Sequence, residues 1–132
     1  MLRPVDAAQA LADLTEISSQ VVQVAILDGA GSILASTIAD EDRAQRFVDG
    51  VSRLVEEAEA ARAAHGLSGL AQLEAATLAG SIFVVRSPSD SRLIAAITRP
   101  EPTVGLVFYD LKHCLGSIDA KKARRKKADA SA

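Results

Sequence analysis

Residues 23–37 read QVAILDGAGSILAST. Val21 to Leu27 (VVQVAIL) is β-branched or apolar at nearly every position. Asp28, Gly29, Ala30, Gly31 and Ser32 follow, and then a second extended run, ILASTI, from Ile33 to Ile38. A Gly-x-Gly turn after a strand can cradle a phosphate when the loop leads into a helix, whose amides and dipole receive the anion. Here Ser32 leads into a strand, the third glycine of a dinucleotide fingerprint is missing, and no Gly-Lys-Ser/Thr follows. Turn-forming residues between two short strands have hairpin spacing, with glycine supplying positive φ. The stretch predicts a β-hairpin and argues against a nucleotide-binding enzyme.

The first strand does not alternate, so it needs cover on both faces. Cover is available on either side. Residues 5–18, VDAAQALADLTEIS, place Val5, Ala8, Leu11, Ala12 and Leu14 near helical spacing, with Pro4 suited to the first turn. After the hairpin, Asp40 offers an N-cap, and Glu41 and Asp42 suit the positive end of a helix dipole. A long helix from about Glu41 to Ala64 follows, with His65 in its final turn and Gly66 as its left-handed cap. Three strand candidates, 71–79, 81–87 and 92–98, are separated by Gly80 and by PSDS at 88–91. From Thr103, beyond Pro100 and Pro102, the residues Val104, Val107, Phe108, Leu111, Cys114, Leu115 and Ile118 recur at i, i+3, i+4, i+7, the mark of an amphipathic helix. The predicted order is α-β-β-α-β-β-β-α. The predicted fold is a three-layer α+β domain, with a five-stranded, mostly antiparallel sheet between one long helix and two shorter ones.

The 132 residues suffice for one domain, 48% of them hydrophobic and 3% aromatic, so the core must be built from Val, Leu, Ile and Ala. No run approaches a membrane span, and the start, MLRPVDAAQALADL, lacks the apolar core of a signal peptide, which predicts a cytoplasmic chain. Charge divides the sequence. Residues 119–132 hold Lys121, Lys122, Arg124, Arg125, Lys126 and Lys127 against two carboxylates, a net +4, whereas residues 1–118 hold nine basic and fifteen acidic side chains, a net −6. The expected organisation is a folded domain over 1–118 and a basic, disordered tail over 119–132. With only Ala123 between the cations, base stacking and membrane insertion are unsupported. Weak contact with nucleic acid or an anionic membrane through charge alone is what the tail offers.

No catalytic, cofactor or metal constellation is expected. The single cysteine, Cys114, excludes an internal disulfide and reads as a small buried hydrophobe. His113 is adjacent in sequence, but consecutive helical residues do not face each other. His65 reads as a helix-end residue, and Glu56, Glu57 and Glu59 as a solvated face. Arg43, Arg46, Arg53 and Arg62 recur along the long helix. An arginine can stabilise phosphoryl transfer in trans, but ion pairs with Asp42, Asp49, Glu56 and Glu59 at helical spacing explain them better.

Four stretches together resemble the Roadblock (dynein light-chain) family, whose bacterial members include MglB-like regulators of Ras-like GTPases. These are the strand-turn-strand VAILDGAGSILAST, the long helix straight after it, the triple strand LEAATLAGSIFVVRSPSDSRLIAAIT, and PEPTVGLVFYDL, with Gly105 in the first turn of the last helix. The match spans roughly residues 5–118, and the tail lies outside the family's core pattern. The resemblance implies a profilin-like, Roadblock-like fold. It also implies a homodimer in which the long helix pairs antiparallel with its copy and the strand after it joins its mate, an unblocked edge being an invitation to pairing. The interface residues expected on that basis are Phe47, Val48, Val51, Leu54, Val55, Ala58, Leu70, Gln72 and Glu74. The implied function is a non-catalytic regulator or adaptor of a small Ras-like GTPase. The rivals are a purely structural scaffold and a small-molecule sensor with a cavity among Phe83, Phe108 and Tyr109. Gly105 itself suggests a helix start pressed close against a strand, since glycine in a helix costs about 1 kcal/mol relative to alanine.

Overall fold

The computed structural model describes residues 6–130, with side chains as far as Ile118. Eight elements follow in the expected order: α1 (Ala7–Ile17), β1 (Val21–Leu27), β2 (Ile33–Ser36), α2 (Glu41–Ala64), β3 (Gln72–Thr77), β4 (Gly80–Arg86), β5 (Leu93–Thr98) and α3 (Val104–Ala130).

The stretch 28–32 is a hairpin turn, organised as much by Asp28 as by glycine. Asp28 Oδ1 accepts from the backbone N–H groups of Ala30 and Ser32, each at 2.9 Å. The Asp28 N–H donates to the Ser32 carbonyl, and the Gly31 N–H to the Asp28 carbonyl. Such an Asx turn mimics a backbone turn with a side chain. Gly31, at φ +89°, holds the left-handed position in which a side chain is costly. β1 and β2 leave the turn antiparallel, with a register shift between Ile26 and Leu27.

The sheet order is β2-β1-β5-β4-β3, and every neighbouring pair is antiparallel. The last strand in the chain is thus the central one. Alternation along the strands serves two cores. Val24, Ile26, Phe83, Val85 and Ile94 face α1 and α3, where Leu11, Leu14, Val107 and Leu111 meet them. Ala25, Leu27, Val84, Leu93 and Ala95 face α2. This is the two-sided cover that VVQVAIL requires. Phe83 anchors the first core edge-on to Phe108, ring centroids 4.8 Å apart, an arrangement worth about 0.5–1.5 kcal/mol beyond area burial.

The helix ends follow from local chemistry. Asp40 Oδ1 accepts from the Arg43 N–H at 3.1 Å and opens α2. At the other end, the Leu67 N–H reaches the Arg62 carbonyl and the Gly66 N–H the Ala63 carbonyl, the paired bonds of a Schellman motif. α1 is capped by Asp6, whose Oδ1 accepts from the Gln9 N–H at 2.8 Å. Pro4 and Val5, expected in that first turn, lie outside the described residues.

Two expectations are corrected. Gly105 is exposed, and a Cβ there would meet nothing within 4 Å, so no strand presses on the start of α3. The close approach falls at Gly80 instead. There φ is +147°, and a Cβ would lie against the Thr98 carbonyl oxygen, inside the 3.0 Å that real Cβ atoms respect. The last helix is also not one of the shorter ones. α3 has 27 residues against 24 for α2, its backbone helical as far as Ala130. Alanine, lysine and arginine are strong helix formers, and neither glycine nor proline follows Gly116. The side chains of the six tail cations lie outside the described ones.

Candidate functional site

α2 is broader in apolar residues than one sheet contact needs, and the structure divides that breadth into two stripes. Ala44, Val48, Val51 and Val55 are buried on the sheet, with Val48 and Val51 only 1% and 2% exposed. Three of the expected interface residues, Val48, Val51 and Val55, are thereby consumed by the core of a single chain. The adjacent stripe, Phe47, Gly50, Leu54 and Ala58, is half-buried, and its small residues allow another helix to approach closely. Beside α2 the sheet is incompletely covered as well. Leu73, Ala75, Ile82 and Ile97 belong to the α2 face by register and are all half-buried.

Among the described residues β3 is hydrogen-bonded to β4 alone, so its outer edge is unpaired there. Gln72 pairs with Val85 and Glu74 with Phe83, which turns both toward the α1/α3 side. These two residues therefore do not share a surface with the α2 stripe. They lie across the edge from Leu73 and Ala75. Leu70 packs on the α2 side, against the core of its own chain.

The start of β3 is held by Glu59, a residue expected on a solvated face. Its Oε2 accepts from Arg62 Nε at 2.6 Å, while Oε1 accepts from the Leu70 N–H at 3.0 Å and from Arg86 Nη1 at 2.5 Å. The bonds from Arg62 and the Leu70 amide, with the nearby Arg86 charge, hold this carboxyl below its ordinary value of 4.5. One carboxylate thus fastens the end of α2, the following loop and β4 together. Of the anticipated ion pairs along α2, Arg62–Glu59 is the one that forms among the described residues; Arg43, Arg46 and Arg53 are exposed.

Among the described residues, the chemistry-bearing ones do not converge. Cys114 is buried, its Sγ–H donating to the Ala10 carbonyl at 3.4 Å, and burial together with Asp13 pushes its thiol up to about 11. His113 stacks on exposed Tyr109 and faces away from the core, while His65 ends α2. Phe83 is fully buried against Phe108, and Tyr109 is 66% exposed, so these three do not enclose the cavity a sensor reading needs. Concave space lies elsewhere, in a groove of about 860 Å³ bounded by residues 69–72, the end of β4, the β4–β5 loop and α3. Nothing local in the sequence marked it, because its walls come from three segments distant in the chain.

Three helices about a five-stranded antiparallel sheet, in this order and with β3 at an open edge, define the class: the chain has an α+β, Roadblock-like fold. Solved structures agree. A Roadblock/LC7 domain from Streptomyces avermitilis superposes with a TM-score of 0.75 at 16% identity, over 85% of this chain and 93% of that one. The gliding protein MglB of Thermus thermophilus gives 0.71 at 12% identity, over 85% and 84%. Myxococcus xanthus MglB gives 0.69 at 12% identity, over 89% and 92%. At such identities the likeness is one of fold. No protein-family model matches the sequence, and no curated protein matches it.

Proposed function

We propose that the chain works as a cytoplasmic homodimer that binds a small Ras-like GTPase and has no catalytic residues of its own. The observation that carries this reading is the half-buried stripe Phe47–Gly50–Leu54–Ala58 on a helix whose other stripe already serves the core. A second copy of α2 would complete its burial, and the unpaired β3 edge would extend the sheet into the copy. The Roadblock-like fold, shared with MglB, supports a regulatory role. A GTPase held on such a dimer would be regulated through order in its own switch loops, the hydrolytic groups remaining the partner's.

The test has two parts. Light scattering at micromolar concentration should give a dimer mass, and Leu54→Glu should give a folded monomer. Val51 is unsuited to this purpose, because a charge there enters the core. Binding and single-turnover hydrolysis are then measured with Ras-like GTPases from the same genome. A wild-type monomer overturns the dimer, and the absence of GTP-dependent binding to every candidate overturns the GTPase partner.

A further inference from the structure

We propose that the groove between the β4–β5 loop and α3 is a binding site for a small organic anion with an apolar body, a carboxylate or phosphate monoester on a short hydrocarbon chain. The site lies apart from the half-buried α2 stripe and does not depend on the GTPase reading.

The size is suitable, since pockets of about 300–1,000 Å³ hold small-molecule ligands, and this one measures about 860 Å³. Its apolar wall is made by Leu70, Val85, Pro88 and Leu115. Gly69, Ala71 and Gly116 add little bulk, which leaves room for a ligand chain.

Charge decides the sign of the ligand. Residues 1–118 carry a net −6, yet among the described residues the groove lining contains two cations, Arg86 and Lys112, and no carboxylate. Lys112 is exposed and has no ion-pair partner among the described residues. Arg86 gives Nη1 to Glu59 but keeps a buried Nε with no acceptor among the described residues. The carboxylates beside the lining are already paired with cations, Glu59 with Arg86 and Arg62 and Asp90 with Arg92 Nε at 2.6 Å. Ser91 supplies a hydroxyl group on the loop wall, while the hydroxyls of Ser87 and Ser89 bond to each other at 3.0 Å. An apolar wall with cations and hydroxyls at its margin selects an amphipathic anion over a neutral or cationic analogue.

The experiment uses the full chain labelled with ¹⁵N, titrated with decanoate and decyl phosphate below their micellar concentrations. Decanol and decyltrimethylammonium serve as the neutral and cationic counterparts. Saturable binding of one anion per chain is expected, with amide shifts centred on residues 69–72 and 112–116. Lys112→Glu should weaken anion binding about tenfold or more, and Lys112→Arg should retain it. Gly116→Leu should abolish binding by filling the groove. Its Cβ meets nothing within 4 Å and leucine favours the helix, so the variant keeps its fold, which a thermal melt verifies. Any of three results overturns the proposal: no saturable binding of either anion at millimolar concentration, equal affinity for decanol, or anion binding unaltered in folded Lys112→Glu and Gly116→Leu.

Discussion

Replacing Gly80 with alanine sets a methyl group against the Thr98 carbonyl oxygen, where β4 begins beside the end of β5. Two costs combine. The backbone φ of +147° is a region that side-chain-bearing residues rarely adopt, at about 1–3 kcal/mol. The collision is with main chain, which cannot swing aside like the far end of a lysine, and overpacking of this kind costs about 1–3 kcal/mol. Together they remove roughly 2–6 kcal/mol from a total that for small domains is about 5–15 kcal/mol. For a chain of this size that lowers Tm by roughly 8–25 °C. Circular dichroism melts and urea titrations of wild type and Gly80→Ala measure it directly. Gly116→Ala is the control: it is an exposed helical glycine with open space at its Cβ, and alanine there should add about 0.5–1 kcal/mol. A Gly80→Ala loss below about 0.5 kcal/mol would refute the close-approach reasoning.

Glu59→Gln should destabilise the protein near neutral pH, where the carboxylate holds Arg62, the Leu70 amide and Arg86. Because folding lowers the Glu59 pKa, its stabilisation is complete above the ordinary value of 4.5 and lost as pH falls through the folded value. Urea midpoints of the two proteins should therefore converge in acid, and a gap independent of pH contradicts the scheme. Asp28→Ala removes two turn hydrogen bonds and should cost about 1–2 kcal/mol, read as a lower urea midpoint at unchanged slope; an unmoved midpoint would show that the glycines suffice. Cys114, buried and with its thiol pushed up to about 11, should resist iodoacetamide in the native protein and react at a rate tracking unfolding. Rapid stoichiometric alkylation of folded protein would contradict its burial.

What the sequence disclosed was set by local rules. Unbroken apolar character in VVQVAIL required two covered faces, the strand after Ser32 excluded a phosphate cradle, and Asp40 and Gly66 marked the ends of α2. The features that escaped depend on segments distant in the chain. Glu59 reads as a solvated helical charge until residues 70 and 86 arrive beside it. Gly105 and Gly80 are equivalent as letters, and only the proximity of β5 distinguishes them. The division of α2 into a core stripe and an outward stripe requires the orientation of the helix on the sheet. Gln72 and Glu74 sort to the opposite side only through their register with Phe83 and Val85.

The central position of β5 bears on how the chain is made. β1–β2 and β3–β4 are local hairpins that can form as soon as each is synthesised, but neither touches the other until Leu93–Thr98 inserts between them. The pairing of Val21 with Thr98 closes most of the length of the domain in one step. A nascent chain that has emerged only as far as β4 therefore presents two apolar ribbons with open edges, each a template for the wrong neighbour. Completion of the fold waits on the arrival of β5, and the interval before it is when the chain is most in need of a chaperone.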